Sequence, residues 1–284
     1  MAKKKEVEID FRKTVQENAE KYFEEAKWAK SKIEATKKAL EKTRRQVRKL
    51  KKGLKKKEPK KAPRKRRRGK WFEKFRWMIT SDGFLVIGGR DATQNEMLFK
   101  KHLQEGDIVL HAEISGAPLT IIKSEGKPVT PLAVREAGEF AISYSSAWKQ
   151  GLGSMRAFFA KHDEVSKKAP AGEYLPKGSF MFHKRNYLKK MEIKIAIGIM
   201  FQKDKEGKRI AKPICGAVQA VNKNAEYFVT LKPGDISQAE LAKQIKKKIL
   251  IKAMPEDVPL IEEIPLEDIQ KLIPPGGGYI FGGG

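Results

Sequence analysis

The sequence predicts an α+β fold, a mixed or antiparallel sheet with flanking helices, preceded by a long basic coiled-coil helix. Three observations carry that prediction. An unbroken heptad pattern opens the chain, short β-rich runs punctuated by glycine and proline follow it, and three capped helical stretches lie among those runs.

In the first element the seam from Val15 reads Val15, Ala19, Tyr22, Ala26, Ala29, Ile33, Thr36, Leu40, Thr43, Val47, Leu50, Leu54, in steps that alternate four and three. Ten of these twelve positions are apolar, the pattern of a coiled-coil arm over residues 1–54. One helix cannot bury such a stripe alone, so a second copy, a helix of this chain or a helix of another polypeptide must cover it. Gly53 weakens the end of the helix, Pro59 and Pro63 stop it, and a basic linker spans 55–70.

A globular domain is expected over 71–252. Its first hairpin joins Phe75–Ile79 to Phe84–Ile87 through Ser81-Asp82-Gly83, where Asp-Gly supplies the positive φ of a tight turn. A helix from Thr93 to Gln104 has a capping box in Thr93 and Glu96, with Gly106 as its stop. Strands at Ile108–His111 and Leu119–Ile122 lead to a helix over Pro131–Lys149, capped by Thr130 with proline in its first position. Further strands are expected at 157–160, 180–182, 193–201, 214–221 and 227–231. A last helix opens at Ser237-Gln238-Ala239-Glu240 and buries Leu241, Ile245 and Ile249. The segment 253–284, rich in proline and acid and ending in glycines, reads as a largely extended tail.

Composition narrows the function. The chain of 284 residues carries a formal charge of +26. Residues 1–70 hold 29 basic and 10 acidic side chains, which leaves a net of only +7 for the rest. Arg64-Lys65-Arg66-Arg67-Arg68-Gly69-Lys70 sets cations side by side without a counter-charge, where a surface built for solubility would mix signs. Phosphate complements such a run, because each neutralised phosphate releases condensed counterions. A lipid surface would call for a bulky apolar face at the basic cluster, and residues 51–70 offer only Leu54, so nucleic acid is favoured and no membrane partner is expected. A single cysteine, Cys215, fits a reducing compartment and reads as a small buried hydrophobe. The charged start and the lack of a long apolar run point to the cytoplasm.

Several stretches could carry chemistry. In Gly88-Gly89-Arg90-Asp91-Ala92-Thr93-Gln94-Asn95-Glu96 a strand empties through glycines into a helix start, which suits a phosphate with Arg90 as a forked donor, or an ordinary αβ connection. His111-Ala112-Glu113-Ile114-Ser115-Gly116-Ala117-Pro118 lacks a third metal ligand, so His111 packs or hydrogen-bonds, with RNA contact from the Ser115 turn as the functional option. His183-Lys184-Arg185-Asn186-Tyr187 combines guanidinium and aromatic planes suited to unstacked bases, or is a solvated turn. Trp71, beside Lys70, either anchors the core or stacks on a base, and Gly151-Leu152-Gly153-Ser154 with Arg156 has a weak phosphate-loop character. No nucleotide loop, cysteine pair, zinc-protease motif or nucleophile elbow is present, so neither a cofactor nor a metal nor catalysis is expected.

Lys70–Trp77, Ser81–Glu96, His111–Pro118, Trp148–Ser154 and Lys184–Tyr187 together resemble the RNA-binding domain of the NFACT family over roughly residues 70–200, and residues 6–50 resemble the start of that family's coiled-coil arm, in an archaeal-type variant. The resemblance implies a ribosome quality-control factor that grips ribosomal RNA and tRNA on a large subunit carrying a stalled peptide. It adds Lys74, Arg76, Asn95 and Lys149, which stand in the shared stretches, to the expected RNA contacts. The family's N-terminal domain and helix-hairpin-helix segment have no counterpart in the sequence, so a separate N-terminal NFACT-type chain, or another helix that pairs with the arm, is an expected partner. The competing expectation is a coiled-coil scaffold whose basic arm binds nucleic acid without specificity. An enzyme acting on RNA or nucleotides through His111 or Glu113 comes third.

Overall fold

The structure, a computed structural model, describes residues 8–57, 70–168, 174–204 and 206–282. It falls into two compact units, Met1–Arg68 and Gly69–Gly284. The first is a single helix, α1 (Val15–Lys57). Thr14 and Glu17 cap it reciprocally: the Thr14 amide donates to the Glu17 carboxylate at 2.7 Å and the Glu17 amide to Thr14 Oγ1 at 3.3 Å. Asn18, buried, pins the preceding turn by accepting from the Asp10 amide and donating to the Asp10 carbonyl, both at 3.0 Å. Val15, Ile33 and Leu40 of the seam stand exposed, as do Phe23 and Trp28.

The second unit begins with a 3-10 turn at Trp71–Lys74 and continues β1 (Arg76–Ile79), β2 (Leu85–Gly88), α2 (Ala92–His102), β3 (Ile108–Ala112), β4 (Thr120–Lys123), α3 (Pro131–Ser143), α4 (Ser146–Lys149), β5 (Ser154–Met155) and β6 (Ala157–Lys161). Short strands β7 (Val165–Ser166), β8 (Met181–Phe182), β9 (Asn186–Tyr187) and β10 (Met191–Glu192) precede β11 (Ile195–Lys203) and β12 (Arg209–Gly216). Then come α5 (Val218–Asn224), β13 (Tyr227–Ile236), α6 (Gln238–Lys252), α7 (Val258–Glu262), α8 (Leu266–Gln270) and β14 (Gly278–Gly282). The main sheets are antiparallel, ordered β1-β2-β4-β3-β6-β9 and β12-β11-β13-β14.

The apolar runs of the first sheet follow from burial on both faces. Val86, Leu110 and Ile122 point into the core that α3 fills with Ala137 and Phe140, and that core runs on into Ile195, Ile197 and Ile199 of the second sheet. Their chain neighbours Ile87, Val109 and Ile121 point the other way, against Phe75 and Leu98 of α2.

Several expectations need correction. The α2 helix is capped by Asp91, whose side chain accepts from the Gln94 amide at 2.8 Å, so the cap lies two residues before Thr93, and Glu96 is used elsewhere. The helix expected over Pro131–Lys149 breaks at Tyr144–Ser145. Ser145 caps α4, while Ser143 Oγ and Ser145 Oγ donate to the carbonyls of Glu139 and Ile142, a competition with the helix that serines favour. The strand expected to reach Val221 stops at Gly216, and α5 follows without any capping side chain that could announce it.

The segment past Met254 is not an extended tail. It folds into α7 and α8, buries Ile261, Ile264, Ile269 and Ile273, and adds β14 beside β13. Pro259 falls in the first turn of α7 and Pro265 sits at the N-cap of α8, so the prolines that suggested an extended chain start helices instead.

Candidate nucleic-acid interface

The ends of β2 and β3, the start of α2, the α3–α4 break and the approach to β8 frame a cavity of about 780 Å³. Arg76, Arg90, Asn95, His111, Ser115, Lys149 and Arg185 all line it, so residues from motifs spread over more than a hundred positions meet in one place. Sequence reasoning missed Tyr144, Ser146, Phe158, Lys177, Phe180 and Phe182, which complete the walls. The aromatic spacing in Phe180 and Phe182 was a usable signal for the last two, but a strand of that pattern reads as core.

One wall is cationic. Arg76 lies 4.7 Å from the centre of the Tyr144 ring and donates to the Gly89 carbonyl at 2.9 Å. Burial lowers its affinity for a proton, Arg90 works in the same direction, and among the described residues no carboxylate forms an ion pair with it. Tyr144 is fixed from behind: its hydroxyl donates to the Leu272 carbonyl at 2.5 Å, and burial pushes its pKa well above the usual phenol value. Cys215, against the same hydroxyl, is buried as expected, and burial pushes its thiol up to about 11. Arg90 differs from its expected part. Its guanidinium donates to the carbonyls of Lys74 and Phe75 at 3.3 Å each, which ties the turn before β1 to the start of α2.

The opposite wall is aromatic. Phe158 and Phe182 meet edge to face at 5.0 Å, His111 lies within 6 Å of both rings, and the Arg185 guanidinium sits 5.2 Å over Phe158. His111 is oriented by its backbone: Nδ1 lies 2.7 Å from the Ala112 carbonyl, which can only accept, so the proton belongs on Nδ1. Burial lowers the His111 pKa below its usual value, and carbonyls of Ala112 and Ala117 oppose that effect. Glu113, next but one, pairs with Arg156 at 2.9 Å, which engages the cation of the 151–156 loop. Among the described residues no group of three or more His, Cys, Asp or Glu is placed to hold a metal.

Between the walls, Gly89 is obligatory. A Cβ there would come 1.9 Å from Asn95 Oδ1, the atom that accepts from the Leu119 amide at 3.2 Å and ties the α2 start to β4. Asn95 is therefore a buried brace of the cavity. Ser115 contributes its carbonyl to Ser146 Oγ at 2.6 Å, which closes the rim beside Lys149.

The charge balance favours an anion. The cavity's two carboxylates are engaged, Asp91 by the Gln94 amide and Glu113 by Arg156, whereas Lys149, Lys177 and Arg185 have no ion-pair partner among the described residues. Other sequence-selected residues lie outside the cavity. Trp71 stacks on His102 at 4.4 Å with 12° between the planes, while Lys70 and Lys74 lean over Phe72 and Phe75. Lys184 is paired with Glu164 at 3.8 Å. Arg64, Lys65, Arg66, Arg67 and Arg68 lie outside the described residues.

Residues 74–184, which supply most of these walls, match the family model described as the NFACT protein RNA binding domain. The chain is 35% identical over 213 residues to the archaeal Rqc2 homolog aRqcH of Methanocaldococcus jannaschii, covering 75% of this chain and 29% of that protein. It is 34% identical over 266 residues to ribosome quality control complex subunit NEMF of Mus musculus, covering 89% of this chain and 24% of that one. Ribosome quality control complex subunit 2 of Schizosaccharomyces pombe is 41% identical over 143 residues, covering 49% of this chain and 14% of that protein. The chain thus spans less than a third of the length of these relatives. The motifs that meet around the cavity are those of an NFACT RNA-binding domain, and the chain belongs to the NFACT family.

Proposed function

We propose that this chain is a non-catalytic RNA-binding component of ribosome quality control, which engages ribosomal RNA or tRNA on a large subunit bearing a stalled nascent chain. The observation that carries this reading is the convergence of separate basic and aromatic motifs on one cavity whose carboxylates are engaged and whose Lys149, Lys177 and Arg185 are not. Phosphate and unstacked bases complement that combination. The relatives named for ribosome quality control support the setting. The cations of Arg64 to Arg68 add a sequence-independent grip on the phosphate backbone.

The test is co-sedimentation of the full chain with large ribosomal subunits across a salt series. Binding should weaken steeply with salt, and changing Lys149, Lys177 and Arg185 together to glutamine should lower affinity at low salt and make the salt dependence shallower. A chain that ignores both ribosomes and free transcripts at low ionic strength overturns the proposal.

A second component rests on its own observation. Val15, Ile33 and Leu40 of the α1 seam are exposed within this chain, which supports a helical partner for the arm. That partner is a second polypeptide, another copy or a helix elsewhere in this chain, and crosslinking at Leu40 distinguishes the three by the mass of the product.

A further inference from the structure

The cavity has a shape that the proposed RNA-binding role does not by itself require. Duplex RNA is read across successive grooves by extended surfaces that touch phosphates and 2′-hydroxyls, and a recess has no access to its stacked bases. The recess here is about 780 Å³, within the roughly 300–1,000 Å³ of pockets that enclose one small ligand.

Its walls also separate the two chemistries of a nucleotide. Arg76 and Lys149 stand on the side of Tyr144 and the 271–276 segment: Arg76 lies over Tyr144, whose hydroxyl reaches Leu272, and Lys149 packs against Gly276. Phe158, Phe182 and His111 stand on the side of β3, β6 and β8, and there Arg185 presents an exposed guanidinium plane backed by the Phe158 ring. A plane supported from beneath, with its outer face open, is the form in which arginine stacks on an unpaired base. Gly89 and Gly116 line the recess at points where a Cβ would meet Asn95 or Ser146 of its wall.

We propose that this recess receives a single unstacked nucleotide of an RNA strand, its base on the outer face of Arg185 and its phosphate against Arg76 and Lys149. The domain thereby selects RNA that has a base extruded or unpaired over RNA that is fully paired. This inference rests on the RNA-binding reading above and can fail without it.

The experiment measures anisotropy of two labelled hairpins that differ only by one bulged nucleotide, each titrated with the full chain. The wild type should prefer the bulged hairpin by about tenfold, the weight of one stacked base. Arg185→Lys keeps the charge and removes the plane, so it should abolish the preference while it still binds the paired hairpin. Lys149→Gln should weaken the bulged hairpin more than the paired one. Equal binding of the two hairpins by the wild type, or a preference that survives Arg185→Lys, overturns the inference and leaves the RNA-binding role standing. Failure to bind either hairpin at low salt overturns both. Arg185 is exposed and forms no ion pair among the described residues, so its substitution does not threaten the fold, and an unchanged melting temperature verifies that.

Discussion

Gly178 donates its amide proton to the Glu96 carboxylate at 3.0 Å, a bond that joins the start of the β8 approach to the middle of α2 across 82 positions. The same carboxylate holds Lys167 at 2.5 Å and Lys100 at 3.2 Å. The bond to Lys167 does most to draw Glu96 down to about 2, with the Gly178 amide next.

Because that pKa is depressed in the folded chain, Glu96 contributes its stability fully above the ordinary carboxylate value of 4.5 and loses it progressively as pH falls towards about 2. Glu96→Gln should therefore flatten the fall in melting temperature between these limits. Glu96→Ala, which strands the Gly178 amide, should cost about 1–3 kcal/mol in denaturant unfolding at neutral pH.

The Lys123–Asp107 pair is buried, and Lys123 also donates to the His102 carbonyl at 2.7 Å and to Gln104 Oε1 at 2.9 Å. Removing the ammonium with Lys123→Met leaves a buried carboxylate without its cation. Urea unfolding should show a loss of about 3–5 kcal/mol, the usual result of breaking one side of a buried pair.

Gly89→Ala drives a methyl group into Asn95, the brace between α2 and β4. A loss of about 1–3 kcal/mol is expected from overpacking of this kind. Gly153→Ala, with open space around its Cβ and no positive φ, should stay within about 0.5 kcal/mol and serves as the control in the same thermal melts.

For RNA affinity, Lys149→Gln and Lys177→Gln should each reduce the slope of log affinity against log salt by about one, as expected for one lost phosphate contact. Arg90→Gln should act through the fold instead, because its donors already serve the carbonyls of Lys74 and Phe75. Its signature is a lower melting temperature that accompanies any loss of affinity.

Much of this was legible in the sequence. The strand and paired glycines that lead into a helix around Gly89 could be read directly, though the cap is Asp91 and not Thr93, as could the Gly83 turn, where φ is +91°, and the buried state of Cys215. Local chemistry dictates all three. The role of Arg90 was not legible, because a carbonyl acceptor carries no side-chain signature. Nor was the folding of residues beyond Met254, since Ile261, Ile264, Ile269 and Ile273 are set among prolines and acids, and their burial depends on β13 and α6, which lie elsewhere in the chain. Tyr144 reaching Leu272 across 128 positions is the same kind of information, invisible until the fold exists.

The indole of Trp148 donates to the Gly277 carbonyl at 2.5 Å, immediately before β14 takes its place beside β13. Trimming a recombinant product at Met254, where composition suggests a dispensable end, would strip one strand from the smaller sheet and leave a tryptophan without its acceptor. Such a fragment should be recovered from inclusion bodies, and a purification handle belongs beyond Gly282 on a spacer long enough to leave that sheet edge undisturbed.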